Sequence, residues 1–210
     1  MARRRTRGKS RVHSIERVSL VAGLAVLLSA CALLPGGGPA PLDTFELSAP
    51  AESTQRRSAG TQILIAEPSA LKALDGVNVV IRAGDGSIQY LKGAQWADRL
   101  PRIVQARLAD AFQKSGAFGG VGKPGEGLAI DYQVITEVRA FEVRVNGGGQ
   151  AHVELFVKIL NDRNGVVRAS KTFIADTGLS GAGNDAYIAA LDSAFNESAA
   201  EIVRWTDSLI

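Results

Sequence analysis

Cysteine and histidine are almost absent from this chain of 210 residues, which contains one Cys and two His. A single thiol cannot form an intramolecular disulfide, and structural zinc sites need several Cys or His ligands. His13 lies in the basic N-terminus, and His152 stands alone between Ala151 and Val153. A serine triad also needs a histidine beside its nucleophile. The composition therefore gives little support to thiol chemistry, metal binding or hydrolysis.

The apolar stretch that precedes the cysteine is short. It covers residues 18–30 without a charge, whereas a transmembrane helix needs about 20 apolar residues and a secretory signal needs roughly 7 to 15. The residues before it form a basic stretch, which contains Arg3, Arg4, Arg5, Arg7, Lys9, Arg11 and Arg17. Basic residues followed by a short apolar run are typical of an export signal.

The one cysteine ends this segment. Leu28, Ser29 and Ala30 precede Cys31, which is the pattern of a bacterial lipobox. The small side chains before the cysteine let the signal peptidase approach the backbone, and the sulfur atom of the cysteine accepts the diacylglyceryl group. We therefore predict a lipoprotein signal peptide over residues 1–30, peptidase recognition at Leu28, Ser29 and Ala30, and lipidation with palmitate-type chains at Cys31. The alternative is an uncleaved anchor helix with an incidental buried cysteine.

Basic charge is concentrated in the predicted signal peptide. The whole chain has 24 Lys and Arg against 21 Asp and Glu, but residues 1–30 hold seven of the bases and one of the acids. Residues 31–210 therefore have 17 bases and 20 acids, a net charge of −3. Nucleic-acid binding needs basic residues clustered on a folded surface, so we expect no nucleic-acid partner.

The remaining chain divides into a tether and one domain. Residues 32–41 contain three glycines and three prolines, which favours neither a helix nor a strand. We predict a lipidated flexible tether over residues 31–42 and a single domain over residues 43–210, which is within the usual size of about 50 to 250 residues.

Strands and one helix are predicted for the first half of the domain. Short apolar runs indicate strands over residues 44–47 and 63–66, and the pattern over residues 77–91 predicts a hairpin that turns at residues 84–86. A helix is predicted from near Asp98 to Gly116, with Pro101 in its first turn. Its apolar positions recur at helical spacing: Trp96, Leu100, Ile103, Val104, Leu108, Ala111 and Phe112.

The second half predicts three long strands and a second helix. Apolar residues alternate from Leu128, change phase near residues 138–140, and alternate again on both sides of loops at residues 146–149 and 161–165. A phase change of one position indicates a bulge or bend. Residues 185–205 have helical spacing. We therefore predict an α+β fold with a mixed, mainly antiparallel sheet and two amphipathic helices packed on one face.

Four segments carry a resemblance to a known family. They are the lipobox, the short strand after the tether from Phe45 to Leu47 (FEL), the run from Tyr90 to Leu100 (YLKGAQWADRL) and the turn from Leu160 to Gly165 (LNDRNG) before an alternating strand. Across residues 31–210 the chain resembles the ABC-type transport auxiliary lipoprotein family; the stretch of residues 67–76 departs from that pattern. The resemblance implies a non-catalytic accessory subunit of an envelope lipid-transport system, without a cofactor or a bound metal.

The partners that this resemblance implies are an ABC permease, its ATPase and a periplasmic MCE-domain protein. Ala32 after the cysteine is not aspartate, which indicates sorting to the inner leaflet of the outer membrane, facing the periplasm. A homo-oligomer is a further expectation. The alternatives are a structural lipoprotein that tethers the envelope to the cell wall, and a periplasmic hydrolase that depends on His152.

Candidate contact residues each have two interpretations. Trp96 is a candidate partner anchor, or a core residue where strand meets helix. Arg99 and Arg102 are candidates for binding an acidic partner or a lipid headgroup, or parts of a solvated helix surface. Tyr132 and Phe141 would line an acyl-chain groove, or face the helices of their own domain. The carboxylates Asp131 and Glu142 remain possible as a glycosidase pair, because their separation is not fixed by the sequence.

Overall fold

The computed structural model describes residues 41–50 and 58–210. Within them the chain forms one nine-stranded sheet and two helices. The elements are β1 (Asp43–Phe45), β2 (Ser58–Ile65), β3 (Ser69–Ala70), β4 (Asn78–Arg82), β5 (Ile88–Trp96), α1 (Leu100–Ser115), β6 (Phe118–Gly122), β7 (Tyr132–Arg144), β8 (Gln150–Asn161), β9 (Val167–Gly178) and α2 (Asn184–Asp207). The predicted signal peptide, Cys31 and nearly all of the tether lie outside the described residues.

Strand β7 organises the sheet. One edge of its 13 residues pairs with β8 over the whole length. The other edge pairs in turn with β2, β3 and β4, all parallel to it. Its register with β8 shifts between Val138 and Ala140, which confirms the predicted irregularity. A single extra residue at this point moves the apolar side chains after it onto the face that they need for burial.

The predicted sheet class is confirmed. The hairpin β4–β5 and the long β7–β8–β9 meander are antiparallel. The parallel ladders are short, with two to four paired residues each. β2 also pairs with β6, and β1 pairs with the end of β5. The sheet is therefore mixed, with antiparallel pairing dominant along its longest strands.

Both helices cover one face of the sheet. Residues with odd numbers from Ala151 to Ile159 of β8 are fully buried, and Phe195 of α2 packs against Phe141 of β7 with ring centroids 6.3 Å apart. Trp205 of α2 meets Phe173 of β9 edge-on at 5.4 Å. Each buried large apolar side chain contributes about 1.5–3 kcal/mol. We call the opposite surface of β4, β5, β7, β8 and β9 the helix-free face.

The predicted first helix is correct in its core and wrong at its start. Strand β5 continues to Trp96, so this residue ends a strand and does not open the helix. The helix begins at Leu100, with Pro101 in its first turn, and ends at Gly116, which has φ 61°. A left-handed residue after the last turn is the usual place for glycine, because no Cβ opposes that conformation.

Two strands were not predicted, and one begins later than expected. β6 contains three glycines, and Gly122 leaves no room for a side chain beside Leu128; glycine-rich segments have low strand propensity. β3 has only two residues. β7 begins at Tyr132 instead of Leu128, which is 42% exposed and outside the ladder. None of the described helices is long and apolar enough to cross a membrane.

A segment after β1 joins both helices, and we call residues 46–50 the strap. Glu46 pairs with Arg107 of α1 at 2.7 Å, and Leu47 is 2% exposed in the core. The backbone N–H of Ser48 donates to Asp192 of α2 at 2.6 Å, and its hydroxyl donates to the same carboxylate at 2.7 Å. The strap therefore connects the end of the tether to the helical layer.

Candidate functional site

Trp96 lies in the core. It is 1% exposed, and its ring meets Phe141 edge-on with centroids 5.8 Å apart. Because it ends β5 beneath the helices, it presents no surface to another molecule. The interpretation of Trp96 as an exposed partner anchor is therefore wrong, and its alternative as a core residue is right. Phe141 is also 1% exposed and lines no open groove.

Arg99 connects the start of α1 to the loops on either side of β3. Its Nε donates to Asp75 at 2.8 Å, its Nη2 also bonds that carboxylate, and its Nη1 lies 3.0 Å from Glu67. The hydrogen bond to Asp75 is the main reason that the pKa of Arg99 lies above its ordinary value. The guanidinium of Arg99 is therefore already bound by two carboxylates. Its role in the folded chain is to hold the loops that carry them against the start of α1.

Arg102 is the more available of the two arginines. Its side chain is 57% exposed, and its one ion pair within the described residues, with Asp98 four residues earlier, is 3.5 Å long. Exposed pairs of this kind contribute about 0.3–0.5 kcal/mol, so a partner could displace Asp98 at little cost. Arg102 lies between two shallow grooves, one of which it shares with Gln105 and Lys123.

A charged cluster occupies the helix-free face, and the sequence did not single it out. Glu142 of β7 is 2% exposed, and it accepts hydrogen bonds from Arg82 Nη2 at 2.7 Å and Nε at 3.0 Å, and from Arg144 Nε at 3.1 Å. Burial would raise the pKa of Glu142, but the two arginines outweigh it and hold that pKa below its ordinary value. The carboxylate therefore stays ionised and joins β4 to β7.

His152 lies beside this carboxylate. It is directly opposite Glu142 in the β7–β8 ladder and opposite Asp176 in the β8–β9 ladder. Its Nδ1 is 2.7 Å from Asp176 Oδ1, and its Nε2 is 3.9 Å from Glu154. In the sequence, the polar residues of this cluster on β7 and β8 appear only as positions that alternate with apolar ones. The alternation does not predict the cluster, because the other members come from the neighbouring strands β4 and β9.

The two carboxylates that remained possible for glycoside cleavage do not come together. Asp131 precedes β7, accepts from the Gln62 N–H at 2.9 Å and pairs with Arg163 at 2.5 Å. Those contacts hold the pKa of Asp131 below its ordinary value, the bond from Gln62 contributing most. Glu142 lies 11 positions further along an extended strand, about 35 Å away, whereas glycosidase pairs lie about 5 to 9.5 Å apart.

Grooves and uncovered faces of the described domain offer surfaces for binding. In the part of the chain that the structure describes, no group of three or more His, Cys, Asp or Glu side chains could hold a metal ion. A third groove, of about 520 Å³, lies between the helices beside the strap, lined by Pro50, Ala111, Ala200 and Arg204 among others. The surfaces that remain for a partner are this groove, the vicinity of Arg102 and the helix-free face.

Comparison with known proteins decides the class. The family model described as the ABC-type transport auxiliary lipoprotein component matches residues 45–203, which is nearly the whole described domain. The chain belongs to this family. The resemblance seen in the sequence is thereby confirmed. Members of this family are described as lipoprotein components auxiliary to ABC-type transport, which supports a lipid-anchored protein of the cell envelope.

Individual relatives agree with this assignment. An uncharacterised protein of Bradyrhizobium diazoefficiens is 30% identical over 175 residues, which are 81% of this chain and 46% of that protein. The chain thus spans about half the length of this relative. A crystal structure of a Xanthomonas campestris protein has a TM-score of 0.74 and 27% identity, covering 79% of this chain and 95% of that one.

A more distant solved structure shares the fold alone. A hypothetical protein of Chlamydia trachomatis has a TM-score of 0.51 and 8% identity, and the match covers 72% of this chain and 98% of the other. The sheet with two helices on one face is therefore retained where hardly any side chains are shared.

Proposed function

We propose that this lipoprotein is a non-catalytic, periplasm-facing subunit of an MCE/ABC-type system that moves phospholipid between the inner and outer membranes. The observation that carries the proposal is the family match over residues 45–203, and the lipobox that ends at Cys31 supports it. In this arrangement acyl chains on Cys31 hold the domain at the inner leaflet of the outer membrane. The permease and ATPase lie in the inner membrane, and an MCE-domain protein extends between the two.

The tether and the strap suit this role. The 11 residues that follow Cys31 up to Leu42 span at most about 40 Å when extended, so the domain would stay near the bilayer. The strap then fastens the chain to α1 through Glu46 and to α2 through Ser48. A force applied to the lipid anchor would therefore be transmitted to both helices, as well as to the three residue pairs between β1 and β5.

Arg102 is the contact residue that we assign to the partner. Its guanidinium is exposed and held by one long ion pair, and Lys123 lines the same groove. An acidic surface of the MCE-domain protein would displace Asp98 and form shorter bonds. His152, in contrast, serves the sheet through its 2.7 Å contact with Asp176, and we expect transport to survive the change His152→Gln.

The test is affinity purification of the lipidated chain from cross-linked envelope membranes of its own host. We expect the MCE-domain protein, the permease and the ATPase to be recovered with the wild type. Cys31→Ser should release the chain from the outer-membrane fraction and abolish that recovery. Arg102→Glu should reduce it, and Lys114→Glu, at another exposed position of α1, is the matched control that should not.

The same preparation tests the alternative role. Recovery of none of the three transport components, together with co-sedimentation of the wild type with purified peptidoglycan, would contradict the proposal and favour a lipoprotein that tethers the envelope to the cell wall.

A further inference from the structure

Several strands have an outer edge without a neighbouring strand in the described residues. β1 and β3 have only three and two residues, and three of the five residues of β6 are glycines, so the open edges best suited to pair with another strand are those of β5 and β9. β1 covers only Ala94–Trp96 of β5, and the Lys92 C=O accepts from Asn184 Nδ2 at 3.2 Å, so the outer edge of β5 is open from Ile88 to Leu91. β9 pairs with β8 alone, so its outer edge is open as well. Open edges present backbone N–H and C=O groups that can pair with another strand.

The hydrogen-bond phase of the β4–β5 hairpin fixes which groups point outward. Ala83 N–H donates to Ser87 C=O at 3.0 Å, and bonded and non-bonded residue pairs alternate along an antiparallel ladder. Ile88 and Tyr90 consequently belong to the non-bonded pairs of this ladder. Their own N–H and C=O groups point away from β4, toward the open edge.

The same argument applies to β9. Leu179 N–H donates to Gly149 C=O at 3.4 Å, which places the odd-numbered residues of β9 in bonded pairs with β8. The even-numbered residues from Ser170 to Asp176 therefore direct their backbone groups outward. Ile174 lies in the middle of this set and is 55% exposed.

The two open edges match in the side chains that they present. Tyr90 shares the face of Glu142 through their common neighbour Val80, and Ile174 lies opposite Glu154. The outward-pointing residues of both edges thus carry their side chains on the helix-free face. Tyr90 is 47% exposed and Ile88 is 44% exposed, so the edge of β5 presents two large apolar side chains beside its free backbone groups, and the edge of β9 presents one, Ile174.

The chain itself is poorly suited to close the edge of β5. Phe45 C=O accepts from Ala97 N–H, so odd-numbered positions of the first strand face β5. Pro41 and Pro39 are the next two such positions, and proline has no N–H to donate to a ladder. The edge from Ile88 is therefore left for a strand from another molecule.

We infer that the occupant is a second copy of this chain, with β9 of one copy antiparallel to β5 of the next and Tyr90 opposite Ile174. β5 and β9 run in opposite directions within one chain, so a copy related by rotation about the strand direction presents β9 antiparallel to β5. Because both edges have the same phase, the joined sheets keep all helices on one side. The interface is heterologous, so each copy has one further edge to offer.

Paired cysteines test the contact. Opposed residues of a bonded antiparallel pair have Cα atoms about 5.5 Å apart, but their side chains are farther apart than those of a non-bonded pair, so a disulfide there would be strained. A thiol-specific bismaleimide, which spans a longer distance than a disulfide, is therefore the cross-linker. With it, the lipoprotein with both Tyr90→Cys and Ile174→Cys should form a ladder of covalent oligomers. Either change alone should give no ladder, and the wild type, which has Cys31 only, sets the baseline.

A proline substitution provides the second test. Ile88 is the first residue of β5 and directs its N–H outward, so Ile88→Pro spares the β4–β5 ladder while removing one donor from the interface. We expect sedimentation velocity to show self-association about fivefold weaker than that of Ile88→Ala. Gln89→Pro is the contrasting variant, because its N–H belongs to the internal ladder and its loss should lower the stability of the monomer.

Three results would overturn the inference. A folded double-cysteine variant that stays monomeric excludes the interface. Covalent dimers from Tyr90→Cys alone would show symmetric pairing of β5 with β5, and a covalent product with a different envelope protein would show that the edge binds another partner.

Discussion

Replacement of Glu142 by glutamine should destabilise the domain without changing its shape. The buried carboxylate accepts three hydrogen bonds from Arg82 and Arg144, at 2.7, 3.0 and 3.1 Å. Glutamine has nearly the same volume but no charge. The two guanidinium groups, which converge on this position, would lose their common counter-ion.

The expected loss of stability follows from how deeply Glu142 and its two arginine partners are buried. The side chain of Glu142 is 3% exposed, whereas those of Arg82 and Arg144 are both 35% exposed. Breaking a fully buried pair costs about 3–5 kcal/mol, but water screens the arginines here. We therefore expect a loss of about 2 kcal/mol, which lowers Tm by about 4–8 °C in a domain of this size.

The pH dependence distinguishes a charge effect from a packing effect. The pKa of Glu142 is lower in the folded chain than in the unfolded chain. Its ionic contribution is therefore complete above the unfolded pKa of about 4.3 and is lost as the pH falls through the folded pKa. Urea unfolding followed by circular dichroism gives the free energy of unfolding of the wild type and of Glu142→Gln. The difference between these two free energies should be constant from roughly pH 6 to 8, the plateau of the linkage curve, and should shrink in acid.

Glu154→Gln is the matched control on the same face. Its carboxylate is 28% exposed, and its ion pairs are 3.9 Å long, so we expect a change within about 0.5 kcal/mol. Equal losses for the two variants, or a Glu142→Gln effect that persists unchanged in strong acid, would refute the assignment of this stability to the ion pairs of Glu142.

Three further predictions concern the core, a turn and the surface. Trp96→Ala should cost about 3–5 kcal/mol in chemical unfolding, and a loss of partner binding without that cost would contradict its burial. Gly149→Ala should destabilise the domain by about 1–3 kcal/mol, because φ is +78° and a Cβ would lie 2.7 Å from Leu179 Cδ1. Gly147→Ala is the control, because this residue has φ +65° but lies in open space, and it should cost less. Equal melting temperatures of the two variants would disprove the clash. Arg102→Glu should change unfolding free energy by less than about 0.5 kcal/mol, and a larger change would mean that Arg102 is structural.

Local sequence patterns predicted the elements whose neighbours lie close in sequence. The hairpin with its turn at residues 84–86, the β7–β8–β9 meander and the irregularity near Val138 follow from alternation and from turn residues, because those strands pair with the next strand along the chain. The ends of α1 also follow from Pro101 and Gly116, whose backbone preferences are intrinsic.

The parallel pairings and the charged cluster could not be predicted in this way. β2, β3 and β4 all pair with β7, which begins at Tyr132, about 67, 62 and 50 residues after these strands end. No local pattern in the sequence encodes separations of that length. The sequence offered Glu142 only as half of a possible glycosidase pair, and its ion pair depends on β4 bringing Arg82 beside it. For Trp96, helical spacing with Leu100 was misleading, since the strand before a helix also ends in an apolar residue.

The position of β7 has a consequence for how the chain acquires its structure. The segments from Ser58 to Arg82 depend on an edge that residues 132–144 supply. During vectorial synthesis or export, β4 can pair with β5 and β2 with β6, but β2, β3 and β4 all lack their neighbour β7 until the middle of the chain emerges. Such non-local closure is slow and exposes aggregation-prone segments. We therefore expect truncation before Tyr132 to yield an insoluble fragment, and holding chaperones to matter most during that interval.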